Sequence, residues 1–305
     1  MIIDSHSHIW LSPRCLGQAQ DFSCLNQQEI EQAQPEIHQT SMDPAGISFV
    51  LGFVSRHLEA EIPNAIISKY LKSFPDQLYG FAGIDPCDLD VVEQIGRLYE
   101  EDGFVGFTLC PACQGFHPCD TRAMRLYELA QDKHMPVYFL YGMRLPETAY
   151  LEYAQPLAID EIARSFPSLK IIISHMGFPW VEQTISLLAK HFHIYADVAG
   201  LSKSPWLAYR SLVLAYECRV IEKLFFASDF PNDTVKNAVE ALFNLNKITL
   251  DSVLPAVPRE HLRGIVERDT PKILGLSSPS PEPASASSAA DAASVNVSQS
   301  QTKSQ

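Results

Sequence analysis

The chain has 305 residues, 46% of them hydrophobic, and a formal net charge of −13 from 23 Lys plus Arg against 36 Asp plus Glu. That length suits one large domain or two ordinary ones, and the acidic balance argues against nucleic acid or an anionic membrane as partner, since both need basic patches. No apolar run approaches the roughly 18 residues of a membrane span; the start MIIDSH shows no signal-peptide pattern; and seven cysteines without a disulfide rhythm fit free thiols in a reducing compartment, so a cytoplasmic location is expected.

The first apolar run, Ile2–Ser5, leads into "DSHSHIW". Residues i and i+2 of a strand project to one face, so His6 and His8 can converge on one point that a single cation could bridge. A pair of solvent-facing histidines is the competing reading of this fragment. Further runs rich in Val, Ile and Phe follow at Ile47–Phe53, Leu78–Ile84, Phe104–Leu109, Val137–Tyr141, Leu169–Ser174, His193–Val198 and Lys223–Ser228. Between them lie stretches of helical period: "DTRAMRLYELAQDKH", capped at Asp120/Thr121, then "PLAIDEIARSFP", "WVEQTISLLAKHF" and "TVKNAVEALFNLNK". Strands alternating with helices imply parallel βαβ units. Eight repeats in the first 276 residues predict an α/β fold, a closed (β/α)₈ TIM barrel, with an open doubly wound sheet as the alternative. From Ser277 on, the Ser, Ala and Pro-rich tail has too little apolar surface to offset its ordering entropy. Residues 1–276 are thus expected to be the barrel and 277–305 a disordered tail.

In such a barrel the chemistry sits at the C-terminal ends of the strands. His6 and His8 lie at the end of strand one, His175 ends strand six in "IIISHMGFPW", and Asp229 ends strand eight in "KLFFASDFP". Each has an ordinary structural reading, a core histidine or a helix cap. Together they gather at one mouth. Arg56, after strand two, and Arg144, after strand five, could clamp a substrate carboxylate. Trp180, with Phe178, could wall the pocket. Cys110, Cys113, His117 and Cys119 carry spacings reminiscent of a zinc knot, but His117 and Cys119 are too close in sequence to close a tetrahedron easily. Free thiols are the favoured reading.

"DSHSHIW", "GFHPCDTRAMRLYELAQDKHMPV", "ISHMGFPW" and "FASDFP" resemble the amidohydrolase superfamily, specifically its amidohydrolase-related group, which includes aminocarboxymuconate-semialdehyde decarboxylase and TIM-barrel metal-dependent hydrolases. The resemblance runs from Met1 to about Leu276. It implies one divalent metal ion, usually Zn²⁺, held by His6, His8 and Asp229, with His175 handling protons, and it is compatible with a homodimer. It also exposes a departure. The family's strand-five pattern "Pro-Val-x-x-His" falls on Pro136-Val137 and puts Leu140 where the ligand histidine stands. His175 itself, a thiol of the strand-four loop, or water would have to complete the sphere. Strand four, "FVGFTLC", has no lysine to bridge a second metal. The expected function is metal-dependent hydrolysis of a small-molecule substrate through an activated water. Non-oxidative decarboxylation of a small carboxylic acid and a metal-poor, non-catalytic barrel are the alternatives.

Overall fold

The computed structural model describes residues 1–22, 33–142, 145–250 and 252–276. Arg144 and the tail expected over 277–305 lie outside the described residues. Eight strands form one sheet: β1 (Ile2–Ser7), β2 (Ala45–Leu51), β3 (Leu78–Gly83), β4 (Phe104–Leu109), β5 (Val137–Phe139), β6 (Ile171–Ile173), β7 (Ile194–Asp197) and β8 (Leu224–Phe225). Neighbours in the chain are neighbours in the sheet, and every one of these pairs is parallel. A helix follows each strand in turn: α1 (Pro35–Ser41), α2 (Asn64–Ser73), α3 (Val91–Glu100), α4 (Thr121–Asp132), α5 (Ile159–Ser165), α6 (Val181–Lys190), α7 (Pro205–Glu217) and α8 (Val235–Phe243). The Asp120 side chain caps α4 by accepting from the Arg122 backbone N–H, and Thr234 caps α8 in the same way. No helix among the described residues is long and apolar enough to cross a membrane.

The first strand meets the chain just past the last one, which decides for a nearly closed barrel over the open sheet. Ser7 bridges Phe230 in parallel sense. Around that bridge Ser5 N donates to Phe226 O at 2.9 Å, Asp229 N to His6 O at 3.0 Å, and His8 N to Phe230 O at 2.9 Å. The Asp4 carboxylate adds a side-chain tie, accepting from Ser228 N at 2.8 Å and Ser228 Oγ at 2.6 Å. These contacts carry His6 and His8 to Asp229 across more than 220 residues of chain. Long loop closure costs entropy only logarithmically, and hydrogen bonding along the seam holds the two ends together.

Inside the barrel Ile3, Phe49, Phe81, Tyr138, Ile172, Tyr195 and Phe225 fill the axis, with Leu274 among them. The larger apolar layer lies between strands and helices. Strands buried on both faces read as unbroken apolar runs, which is why their positions were plain in the sequence. Their ends are shorter than expected at β6 and β8, because the chain there turns out of the ladder into the mouth loops.

One irregularity aims the histidines. Ile3 belongs to the barrel interior, and in a regular strand residues three apart face opposite ways. A register shift between Asp4 and Ser7 inserts a half-step. His6 and His8 therefore face the axis, while Ser7 turns outward to Ser48 Oγ, Phe49 O and the His38 ring. A bulge that re-aims side chains beside a site is a common use of this device.

Burial raises the Asp4 carboxyl to about 6, against the pull of its bonds to Ser228. Between pH 3.8 and about 6 the folded chain therefore holds a proton that the unfolded chain has lost, and stability falls as pH rises through that window, by about 3 kcal/mol for this group. Asp4→Asn keeps a carbonyl for the backbone donor and an amide for Ser228 Oγ. Its unfolding free energy relative to wild type should improve progressively over that window in denaturant titrations. A constant difference across the window would contradict this origin.

Candidate active site

At the C-terminal end of the barrel a cavity of about 210 Å³ is lined by the polar groups His6, His8, His175, Asp229 and Asn232. Trp10, Phe53, Ile62, Leu140 and Leu145 supply apolar lining to the same cavity. One ligand atom each from His6, His175 and Asp229 lies within 4.8 Å of the other two. His6 Nε2 and His175 Nε2 both stand 3.8 Å from Asp229 Oδ1. His8 does not join that set, but its Nε2 is 3.1 Å from His6 Nε2.

The outer nitrogens of the three rings decide what the inner ones offer. His8 Nδ1 faces Leu51 O at 2.7 Å and His175 Nδ1 faces Ala199 O at 2.9 Å. A carbonyl can only accept, so in either ring Nδ1 carries a hydrogen. His6 Nδ1 faces the Asp197 carboxylate at 2.8 Å. All three Nε2 atoms then turn lone pairs toward the cavity, beside a carboxylate. Such a donor set, with each ring anchored from behind, fits a divalent cation. Two bare nitrogens 3.1 Å apart repel unless a cation or proton lies between them, and that spacing is close to the edge of a coordination polyhedron with metal–nitrogen bonds of about 2 Å.

The electrostatics agree. Burial and the adjoining His6 pull His8 down to about 3, so it is neutral. Burial opposes charge on His6 too, but Asp197, with Asp229 and Asp4, outweighs it and raises that ring. Burial raises the Asp229 carboxyl, only partly offset by His175 and His6. Asp197 is wholly buried, yet His6 and its other donors hold it below its usual range, so it stays an anion.

Backbone geometry here is strained. His175 (φ 51°), Met176 (φ 50°) and Asp229 (φ 68°) adopt the left-handed region, which costs non-glycine residues on the order of 1–3 kcal/mol each. The His175 backbone N–H, held by Asp197 Oδ1 at 2.8 Å, and the Asp229 N–H, held by His6 O, pin those turns.

The expected residues are placed unevenly. His6, His8, His175 and Asp229 meet. Leu140 lines the same cavity, so the position that the family pattern gives to histidine does face the site and presents hydrocarbon. Arg56 is not among the lining residues: its guanidinium is largely exposed, donating to Cys87 O at 3.1 Å and lying 3.6 Å from Asp88. Trp180 is the residue before α6 and does not line the cavity; the tryptophan that does is Trp10. Arg144 is outside the described residues, though Gly142 and Leu145 on either side of it line the cavity. Cys110 and Cys113 are free thiols in an apolar cluster with Leu58 and Ala60, and Cys119 Sγ turns to Ala158 O. No zinc knot forms from these residues. Sequence reasoning missed Asp197 and Asn232. Asp197 could have been found by the rule that located Asp229, since it ends strand seven two residues after inward-facing Tyr195. Asn232 donates through Nδ2 to Asp229 Oδ2 at 3.0 Å, leaving Oδ1 toward His6 and His175.

Gly200 (φ 71°) backs the site: a Cβ there would lie 3.0 Å from His175 Nδ1 and 3.3 Å from Asp229 Oδ2. Gly200→Ala should cost about 1–2 kcal/mol from the left-handed backbone alone and also weaken cation binding by displacing His175. Chemical denaturation and a metal titration would check both. A variant of wild-type stability would refute the tight packing behind His175.

The family model described as Amidohydrolase matches residues 3–268. A crystal structure of an uncharacterized TIM-barrel protein from Bordetella bronchiseptica is similar over 90% of this chain and 98% of its own, with TM-score 0.69 and 20% identity. Dihydroxybenzoic acid decarboxylase from Polaromonas sp., with bound manganese and the inhibitor 2-nitroresorcinol, is similar over 90% and 96%, with TM-score 0.65 and 14% identity. A probable 2-pyrone-4,6-dicarboxylic acid hydrolase from Acinetobacter baumannii, with citric acid bound, is similar over 90% and 99%, with TM-score 0.65 and 15% identity. No curated protein sequence matches.

Proposed function

This chain belongs to the amidohydrolase family, and we propose that it is a metal-dependent hydrolase of a small-molecule substrate. The observation that carries this reading is the convergence of the His6, His8 and His175 Nε2 atoms with Asp229 Oδ1 in one cavity. His6, His8 and Asp229 would hold the cation, for which Zn²⁺ suits the nitrogen-rich donor set. When bound, a divalent cation supplies Lewis-acid polarisation of a carbonyl and of water.

The chain's own groups do the rest. Asn232 holds Asp229 Oδ2, and Asp229 Oδ1 faces the histidines. Burial makes this carboxylate more basic than usual, which suits it to accept a water's proton. His175, once protonated at Nε2, is placed to stabilise an oxyanion or return a proton to the leaving group. The apolar lining from Trp10 to Leu145 excludes water and favours the hydrocarbon part of a substrate. A second assignment, in which His175 takes the ligand place left by Leu140, is favoured by its standing with His6 and Asp229 within 4.8 Å. The two differ in one result: if His175 handles protons, His175→Gln keeps its metal and loses turnover, whereas if His175 is a ligand, that variant loses metal.

The test is turnover of an amide, ester and lactone panel by metal-replete protein, alongside elemental analysis. Hydrolysis that needs the metal, and falls about 100-fold or more in kcat/KM in Asp229→Asn, is expected. Leu140→His should tighten metal binding. Release of CO₂ from aromatic or dienoic acids, with no hydrolysis, would replace the proposal with decarboxylation, for which His175 would protonate carbon. Protein that takes up no metal and turns over nothing would leave a non-catalytic barrel.

A further inference from the structure

Asp197 is fully buried, and its two oxygens receive four hydrogens. Oδ1 accepts from the backbone N–H groups of His175 at 2.8 Å and Ala199 at 2.9 Å. Oδ2 accepts from His6 Nδ1 at 2.8 Å and from the Tyr138 hydroxyl in a short bond. We propose that Asp197 is a positioning residue that fixes which nitrogen of His6 carries the hydrogen, and so keeps His6 Nε2 open to a cation. The inference rests on the reading of His6 as a ligand, but it concerns proton placement, which can be read without metal.

The argument is a hydrogen count. Backbone N–H groups only donate, so the Oδ1 side must remain an oxygen in any replacement. In Asp197→Asn the amide oxygen therefore stays with His175 and Ala199, and the NH₂ group faces His6 and Tyr138. Tyr138 can adapt, because its hydroxyl can accept from that NH₂ and turn its own hydrogen to Ser5 O, already 3.1 Å away. His6 has one response. Nδ1 must become an acceptor, and the hydrogen moves to Nε2, aimed at His8 Nε2 in the space where a cation would sit. An isosteric change that leaves the fold's hydrogen bonds satisfied thus closes the site from inside. Leu140 makes this matter more: with no strand-five nitrogen facing the cavity, the negative charge behind His6 strengthens one of the donors that remain.

The experiment is ¹H–¹⁵N correlation of the His6 ring in metal-free protein, at a pH where the ring's own ¹⁵N shifts report a single N–H, with chelator-competition titrations of Zn²⁺ and Mn²⁺. Wild type should show Nδ1–H and Asp197→Asn should show Nε2–H, with metal binding about 10- to 100-fold weaker. Tyr138→Phe, which removes one donor to Asp197 without reversing any, should keep Nδ1–H. A purely structural role for Asp197 would lower stability and leave the tautomer of the folded variant unchanged. Nδ1–H in Asp197→Asn overturns the proposal. Should that variant not fold, wild type and Tyr138→Phe still decide, since Nε2–H in either overturns it. Wild type with Nδ1–H that binds neither ion would uphold the proton placement and remove the metal reading instead.

Discussion

The seam between β1 and the segment that follows β8, Phe226 to Phe230, is the constraint on which the molecule depends. A parallel barrel satisfies its edge strands only by bonding the first to the last, and here that seam runs through the residues proposed to carry the chemistry. The Asp229 N–H bonds the His6 carbonyl, and the His8 N–H bonds the Phe230 carbonyl. Fold and site are therefore not separable. Opening the seam would part the nitrogens from the carboxylate, and the buried Asp4–Ser228 contact beside it would lose its partner.

Above the seam the site is organised as a shell within a shell. The inner shell is three imidazole nitrogens and one carboxylate oxygen. The outer shell is two backbone carbonyls, one buried carboxylate and one amide, each placing an inner atom from behind. Strained left-handed turns at His175 and Asp229 are pinned at their backbone hydrogens, the first by Asp197 and the second by the His6 carbonyl. The Tyr138 ring closes the floor, edge-on to both His6 and Phe81, and separates the polar layer from the hydrocarbon interior.

Much of this was legible in the sequence, for identifiable reasons. Runs such as "IIIS" and "FVGFTL" are apolar at nearly every position because parallel strands are covered on both faces, and their spacing leads directly to eight βα units. The histidine pair was legible because period two survives locally. The bulge that gives the pair its direction was not, since a half-step in pairing leaves no mark in hydropathy. Asp197 escaped because an aspartate at a strand end also suits a turn, and only the four donors around it show its purpose. Arg56 looked like a clamp because sequence places its backbone near the mouth, while Asp88 and the Cys87 carbonyl draw its side chain away. The aromatic wall was expected from Trp180 and is supplied by Trp10, two residues beyond His8, where the chain leaving β1 folds over the cavity.

The departure at Leu140 gives the site its individual character. A hydrocarbon faces the cavity where the family pattern has a nitrogen, and His175 stands with His6 and Asp229 beside it, which makes it a candidate both as proton carrier and as ligand. Anomalous X-ray diffraction from crystals grown with Zn²⁺ or Mn²⁺ addresses the central claim most directly. A single strong peak within bonding distance of His6 Nε2 and Asp229 Oδ1 is the result this account requires, and the peak's distance to His8 and His175 will name the remaining donors. Fully loaded crystals with no peak in that cavity, or with the ion seated elsewhere, would contradict it.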